Sequence, residues 1–417
     1  MSQSLRHTFA NPRLLAALLL GFSSGLPLAL TASTLQAWFT SANVNLAMIG
    51  ALSLIGIPYT LKFLWSPFLD YYQLPRLGLR KGWIILMQFS VAAFLYLLAY
   101  MNPTSQAVAM SLIAMAAAFL AATQDVAIDA YRTDILTDNE RGLGAAYYVF
   151  TYRLAVVVSG GLAMVFADYY GWKLTYEVMA LLMLMVLLLT LRAPVIQHAA
   201  ATERNVLQTM LVSLRDLLTR DNILLILLFV MFYKFGDALA LSLMTNFLLH
   251  GLGFTLTEVG LAYKIVSFAA TVLGAFVGGA ILTRKSVYYG LFAFGIAQAF
   301  SNLVFVVLAM APKSFLLMSA SIFVENFCSG LSTAAFLAFL MSICNKKYTA
   351  SQYALLSAVA SLGRVFLGPV AAIIVETLGW TQFFIWSFLL SFPGLLFLLL
   401  LKDKVVAYEH AAEHQAY

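Results

Sequence analysis

The chain reads as a succession of long apolar stretches separated by short polar ones. Six lie near residues 14–39, 47–69, 82–101, 105–130, 142–167 and 173–192, and six more near 222–249, 255–282, 288–311, 314–342, 349–375 and 380–401. A helix needs roughly 20 apolar residues to cross the hydrocarbon of a bilayer. The pattern therefore predicts an all-α membrane protein of twelve transmembrane helices. The longer stretches imply tilt or extension into water. The first follows Arg6 and Arg13, runs to Phe39 and carries no small-x-small cleavage site, so it is read as an uncleaved first span.

The basic residues set a direction, because Lys and Arg collect on the cytoplasmic side. With the N-terminus inside, seventeen of the 24 fall in inside segments and only Lys173 and Lys313 in outside loops. The remaining five lie within spans: Lys62, Arg153, Lys234, Lys264 and Arg364. An incorrect span count destroys this alternation. Both termini are expected in the cytoplasm.

Composition agrees with the pattern. Hydrophobic residues make up 62% and charged residues 10%, against about 45–50% and about 25% in soluble domains. The formal net charge is +6, but the bases are scattered, which speaks against a nucleic-acid partner. Cys328 and Cys344 sit in or beside apolar segments, which argues against a disulfide framework or a zinc site. His7, His198, His250, His410 and His414 lie near termini or loops, and no Ser/His/Asp set or metal-spaced cluster appears, so no enzyme is expected. The Gly-rich pieces at 159–161, 278–279 and 363–369 fall inside apolar helices, where small residues permit close packing. No nucleotide-binding strand precedes them, which disfavours an ATP-driven pump.

The longest polar stretch, Arg192 to Asp221, separates six spans from six. The expected organisation is an N-terminal bundle (1–192), a cytoplasmic linker (193–221), a C-terminal bundle (222–401) and a polar tail (402–417). Within the linker, 206–218 is a candidate amphipathic surface helix. Gly25-Leu-Pro-Leu-Ala-Leu30 of span 1 resembles Gly236-Asp-Ala-Leu-Ala-Leu241 of span 7 at an offset of 211, which Arg153 and Arg364 repeat. Gly50 and Gly260 are 210 apart. A near-constant offset indicates duplication of a six-helix unit, the architecture of major facilitator transporters. The stretch from Asp70 to Lys81 looks like a degraded form of that superfamily's loop signature.

Ionisable residues within spans are expensive in hydrocarbon, by about 2.5–3.5 kcal/mol each on insertion scales. They are expected to pair or to face a wet cavity. Four acids, Asp125, Asp129, Asp237 and Glu325, stand among the five bases. Asp125 and Asp129 are four apart on span 4 and share a face, an arrangement suited to carrying a proton. Alternatively Asp129, followed by Arg132, marks the helix end. Asp237 on span 7 and Glu325 near the middle of span 10 are further candidates for proton coupling, and Lys234 is a candidate for holding an anionic cargo; alternatively Lys234 and Asp237, three apart, pair with each other on span 7. Arg153, Arg364, Lys62 and Lys264 are candidates for holding an anionic cargo or an acid. Among neutral side chains, Gln36, Gln124, Asn246 and Asn326 are candidate cargo contacts, because an amide facing lipid is poorly tolerated. Tyr59 and Tyr152 are the aromatic candidates.

The motifs Gly21-Phe-Ser-Ser-Gly-Leu-Pro-Leu-Ala-Leu30, Pro58-Tyr-Thr-Leu-Lys-Phe-Leu-Trp65, Thr123-Gln-Asp-Val-Ala-Ile-Asp-Ala-Tyr-Arg-Thr133 and Tyr233-Lys-Phe-Gly-Asp-Ala238 occur in order. Tyr152-Arg-Leu154, Glu325-Asn326, Cys344-Asn-Lys346 and Gly363-Arg-Val365 accompany them. Together they resemble the anhydromuropeptide permeases (the AmpG family) of the major facilitator superfamily, over about residues 12–401. The resemblance implies proton-dependent import of N-acetylglucosaminyl-1,6-anhydro-N-acetylmuramic acid, with or without peptide, across a bacterial inner membrane, with Asp125 and Asp129 in coupling. The two-halves architecture makes alternating access the expected mechanism, with no cofactor beyond the proton, a muropeptide and the bilayer as partners, and a monomer as the expected state. Some family members carry further apolar segments after span 12, where this sequence has Lys402 to Tyr417. Alternative readings are a permease for another bulky anion, such as a siderophore or an acyl-CoA-like compound, and a non-transporting receptor.

Overall fold

The computed structural model describes residues 11–71, 79–136, 138–195, 212, 215–344 and 349–407. Most of the linker, residues 72–78 of the loop signature and the end of the tail lie outside the described residues. Within the linker only 212 and 215–218 are seen as helical.

Among the described residues, eleven helical stretches are long and apolar enough to cross a membrane. These are span 1 (Pro12–Ser41), span 2 (Leu46–Leu64), span 3 (Arg80–Ala99), span 4 (Pro103–Arg132), span 5 (Tyr147–Tyr170), span 6 (Trp172–Thr190), span 7 (Ile223–Gly251), span 8 (Leu256–Leu282), span 9 (Val287–Met310), span 10 (Phe315–Ser342) and Leu355–Leu400. The last has 46 residues, about 69 Å of helix at 1.5 Å per residue, more than twice a bilayer core. Gly379, at φ 78° and ψ 173°, breaks it into spans 11 and 12. With that break the described residues form an all-α fold with twelve candidate crossings and no strand. Helices are dictated here, because in hydrocarbon every backbone amide must find its partner within its own segment.

Several span starts are written in the sequence. Asn11 and Asn102 accept hydrogen bonds from the amides of Arg13 and Thr104, and each is followed by a proline that needs no amide partner. Ser286, Ser314 and Thr255 cap spans 9, 10 and 8, the last in a reciprocal capping box with Glu258.

Contacts divide the chain into two units, Met1–Val44 with Ile55–Arg204, and Asn45–Leu54 with Asn205–Tyr417. The start of span 2 therefore packs with the second unit, where Ser53 Oγ donates to the Val365 carbonyl at 2.7 Å. The first unit's core gathers Leu14, Leu20, Ile84, Ile128 and Tyr131. The second's gathers Phe229, Tyr233, Phe336, Phe339 and Leu398. Span 1 packs on the helix entering span 5, and span 7 on the helix Thr349–Leu389 that holds span 11, so the pairing repeats between units.

Spans 1, 2 and 7 are discontinuous. Span 1 breaks at Ala32 (φ −120°, ψ −102°) and span 7 at Lys234 and Leu243 (φ −117°, ψ 16°). Ala32 and Leu243 are themselves 211 positions apart, so the sequence offset extends to backbone breaks. Span 2 passes through 3-10 turns at Leu52–Gly56 and Lys62–Leu64. Backbone freed by such breaks is tolerated at membrane depth only where protein or water re-satisfies it.

Candidate transport site

In the first unit the polar residues converge on Asp125. The hydroxyl of Ser24 on span 1 donates to Asp125 Oδ1, and the Lys62 ammonium lies 3.6 Å from Oδ2. Tyr148 donates to Ser24 Oγ at 2.9 Å, so hydroxyl, hydroxyl and carboxylate form a relay across spans 5, 1 and 4. The packing that permits this is glycine-dependent. A side chain at Gly21 or Gly25 would run into the backbone carbonyls of Tyr148 or Tyr152, so spans 1 and 5 touch there along their main chains. Tyr148 and Tyr152 then stack at 6.2 Å beside the carboxylate.

Tyr59 stands on span 2 next to Asp125 and Tyr152. Its hydroxyl is buried and has no hydrogen-bond partner among the described residues. Lys62 sits where span 2 leaves its α-helical turn, and its side chain is one-third exposed while that of Asp125 is 11% exposed. The pair is thus a carboxylate held from the interior and an ammonium reached from solvent-accessible space. Asp129 is different. Its side chain is 48% exposed and meets Arg132 within the same helix at 3.3 Å, and Arg132 lies 4.2 Å over the Tyr148 ring. Asp125 and Asp129 do act on each other electrostatically, as their spacing predicts.

Gln124 faces inward and donates to the Ser23 carbonyl and hydroxyl at 3.0 and 2.8 Å. Gln88 on span 3 donates to Ser23 Oγ at 2.7 Å and to Thr190 on span 6 at 3.2 Å. These amides tie four spans together. Gln36 and Asn246 are buried and already engaged in interactions. Arg153 is exposed and has no hydrogen bond or ion pair among the described residues.

The second unit has its own polar cluster. Gln298 of span 9 donates to Asp237 Oδ1 at 3.0 Å and, more weakly, to Glu325 Oε1 at 3.4 Å. Ser329 Oγ approaches Asp237 Oδ2 at 3.5 Å. Lys234 does not form the expected ion pair with Asp237. Its ammonium lies 3.4 Å from the Ser329 carbonyl instead. The cause is the break at Lys234 (φ −105°, ψ 11°), which ends one helical segment and starts the next, so the three-residue spacing is not that of a continuous helix. Asn326 donates to the Ile322 carbonyl at 2.9 Å and meets Thr271 at 3.4 Å. Arg364 is exposed, and its charge acts on Lys234 and Tyr263. The Lys264 side chain lies outside the described residues.

Sequence reasoning does not nominate Ser24 or Tyr148, whose side chains are individually unremarkable in an apolar helix, and it passes over Gln298, although the amide rule that selects Gln124 applies to it equally. A separate groove of about 570 Å³ lies among Pro58, Ser90, Phe94, Leu112, Met115 and Phe119. Its lining holds no ionisable group, so it is not part of either cluster.

The family profile described as Major Facilitator Superfamily matches residues 13–301 and 234–416. The anhydromuropeptide permease of Escherichia coli K12 is 43% identical over 406 residues, covering 97% of this chain and 83% of that protein. The chain belongs to the anhydromuropeptide permease (AmpG) family. A Rickettsia conorii protein called putative transporter AmpG 4 is 31% identical over 407 residues, covering 95% and 98% of the two chains. Among solved structures, the nucleoside transporter NupG superposes with a TM-score of 0.72 at 15% identity, covering 93% of this chain and 98% of that one. The peptide transporter POT in complex with alafosfalin gives 0.71 at 12% identity, covering 95% of each. At such identities these two establish the fold alone. This AmpG-family chain is a membrane transporter and not an enzyme, and it is a multi-pass protein of the inner membrane.

Proposed function

We propose that this protein imports anhydromuropeptides, N-acetylglucosaminyl-1,6-anhydro-N-acetylmuramic acid with or without its peptide, from periplasm to cytoplasm in symport with protons. The kinship with a permease named for that cargo supports the substrate class. The observation that carries the coupling is the Ser24–Asp125–Lys62 contact. A carboxylate sheltered in a span is costly while ionised and far less so when protonated. In the proposed cycle Asp125 takes a proton from the periplasmic side and releases its hold on Lys62. The freed ammonium then meets a carboxylate of the cargo, lactyl or peptide. Tyr59 and Tyr152 offer ring faces to the sugars, and Arg153 and Arg364 offer forks to further carboxylates. The units alternate in exposing the site, and loss of the proton inside resets the carrier.

The test uses liposomes holding the purified protein, with a pH-sensitive dye inside and no imposed gradient. Addition of the disaccharide-tripeptide outside should acidify the lumen. Cargo entry with no proton movement refutes the symport. Proton movement and uptake driven only by a siderophore or an acyl-CoA would instead favour a permease for another bulky anion.

A further inference from the structure

We propose that Asp237 and Glu325 form a second proton site, a carboxyl pair sharing one proton and clamped by Gln298, whose occupancy responds to whether Lys234 faces the pair or an anionic group of the cargo. The second half of this statement rests on the function proposed above; the first half does not.

The geometry begins with one amide nitrogen. Gln298 Nε2 hydrogen-bonds to both acids, at 3.0 Å to Asp237 and 3.4 Å to Glu325, which draws two carboxyls from spans 7 and 10 onto a single donor. Their charges act directly on each other. Glu325 is completely buried. Two ionised carboxylates drawn onto one amide donor repel, and sharing one proton between them relieves that repulsion. The charged and titratable groups around the pair are Lys234 on span 7, Tyr263 on span 8 and Cys328 on span 10, while Arg364 on span 11 acts on Lys234 and Tyr263. Of these, Lys234 is the cation whose charge acts on both acids. One proton on the pair leaves a single negative charge, which Lys234 balances.

Further polar atoms are buried on spans 9 and 10. Glu325 Oε2, Gln298 Oε1 and both amide atoms of Asn302 are buried without a partner among the described residues. Asn302 lies four residues beyond Gln298, one helical turn along span 9, and is 0% exposed. Buried polar atoms in native proteins are nearly always satisfied, by protein or by ordered water. Of those on spans 9 and 10, Gln298 Oε1 and Glu325 Oε2 belong to the side chains that meet at the pair. Gln298 is the positioning residue for the pair.

Lys234 makes the pair sensitive to cargo. It has no ion pair among the described residues and only a long contact to the Ser329 carbonyl, so it can turn to an arriving carboxylate. Once it does, the negative charge of the pair is less well balanced. Anion and proton then bind cooperatively, and by linkage each strengthens the other by the same factor.

The experiment is infrared difference spectroscopy on the full-length protein in lipid, titrated with pH and without cargo. The carbonyl band of a protonated carboxyl should appear and vanish as the pH rises. It should be lost in both Asp237→Asn and Glu325→Gln and be kept in Asp125→Asn. Gln298→Leu should displace its midpoint, which a merely structural glutamine would not do. A band untouched by both Asp237→Asn and Glu325→Gln overturns the shared-proton site, whatever the cargo. With the disaccharide-tripeptide bound, the wild-type midpoint should move to higher pH by about one unit, a tenfold coupling, and Lys234→Met should abolish that movement. Binding without movement overturns the role of Lys234. A muropeptide that does not bind at all refutes the cargo named under Proposed function, while the cargo-free titration still decides the pair.

Discussion

Gly171 and Gly379 adopt the same backbone conformation 208 positions apart, with φ 83° and ψ 163° at one and φ 78° and ψ 173° at the other. Each is followed by a tryptophan, and each ends the odd-numbered span of a helical hairpin, 5 to 6 in one unit and 11 to 12 in the other. The region is essentially reserved for glycine, and other residues pay about 1–3 kcal/mol there. No neighbouring atom lies within 4 Å of the place where a Cβ would stand at either position. The cost of Gly171→Ala or Gly379→Ala is therefore backbone strain alone. Each should lower the melting temperature in detergent. Gly279→Ala is the control: it lies inside a helix with equally open space, and should raise stability by up to about 1 kcal/mol. Equal effects at all three positions would show that the turns carry no special strain.

Lys81 fastens the start of span 3 to the end of span 6. Its ammonium donates to the Leu191 and Ala193 carbonyls at 2.8 and 2.7 Å, and the residue is only 6% exposed. Helix C-termini leave carbonyls unpartnered and favour cations. Lys81→Met should cost about 1.5–3 kcal/mol, the range for a hydrogen bond to a charged group, read as a lower melting temperature. Lys81→Arg should recover part of it.

The Lys62–Asp125 contact predicts a pattern in stability as well as transport. With Lys62 one-third exposed, solvent screens the pair, and its stabilisation is about 1 kcal/mol or less. Asp125→Asn should thus fold nearly as well as wild type, and the double change with Lys62→Gln should not be additive. A collapse of folding on Asp125→Asn alone would mean that the carboxylate serves the scaffold.

Cys344, just past the end of span 10, carries a pH prediction. Burial pushes its thiol above the ordinary cysteine range, partly offset by the nearby Arg220 guanidinium. The folded-state thiol therefore binds its proton to higher pH than the unfolded one, so the reactive thiolate is scarce at neutrality and grows as the pH rises. In a Cys328→Ser background, maleimide labelling at neutral pH should be slower than in the denatured protein and should accelerate with alkalinity. A membrane-impermeant maleimide should label inside-out vesicles and spare right-side-out ones, if the alternation of basic residues sets the orientation correctly.

Much of the fold was legible in the chain because a bilayer simplifies the code. Twelve apolar stretches and the polar stretch at 192–221 follow from length and charge, and the 211-residue offset follows from matched glycines and arginines. The breaks at Ala32 and Lys234 were not legible, since an apolar period says nothing of where a helix stops and restarts within hydrocarbon. That is also why Lys234 and Asp237 were expected to pair and do not. Among candidate residues, Asp125 announces itself by its cost in lipid, and Gln298 carries a weaker signal of the same kind, whereas Ser24 and Tyr148 carry none. Their importance comes from facing an acid on another span, a relationship with no trace in spacing along one helix. The Gly-Trp repeat was present in the sequence at 171–172 and 379–380, but a two-residue match at an offset of 208 rather than 211 is invisible without the backbone angles.

The most direct measurement concerns Asp125→Asn in proteoliposomes. Counterflow exchange of labelled disaccharide-tripeptide needs alternation but no net proton transfer, whereas accumulation against a gradient needs the proton. The variant should retain exchange and lose accumulation driven by an imposed pH gradient. Accumulation at the wild-type rate in Asp125→Asn would contradict the central role given to this carboxylate.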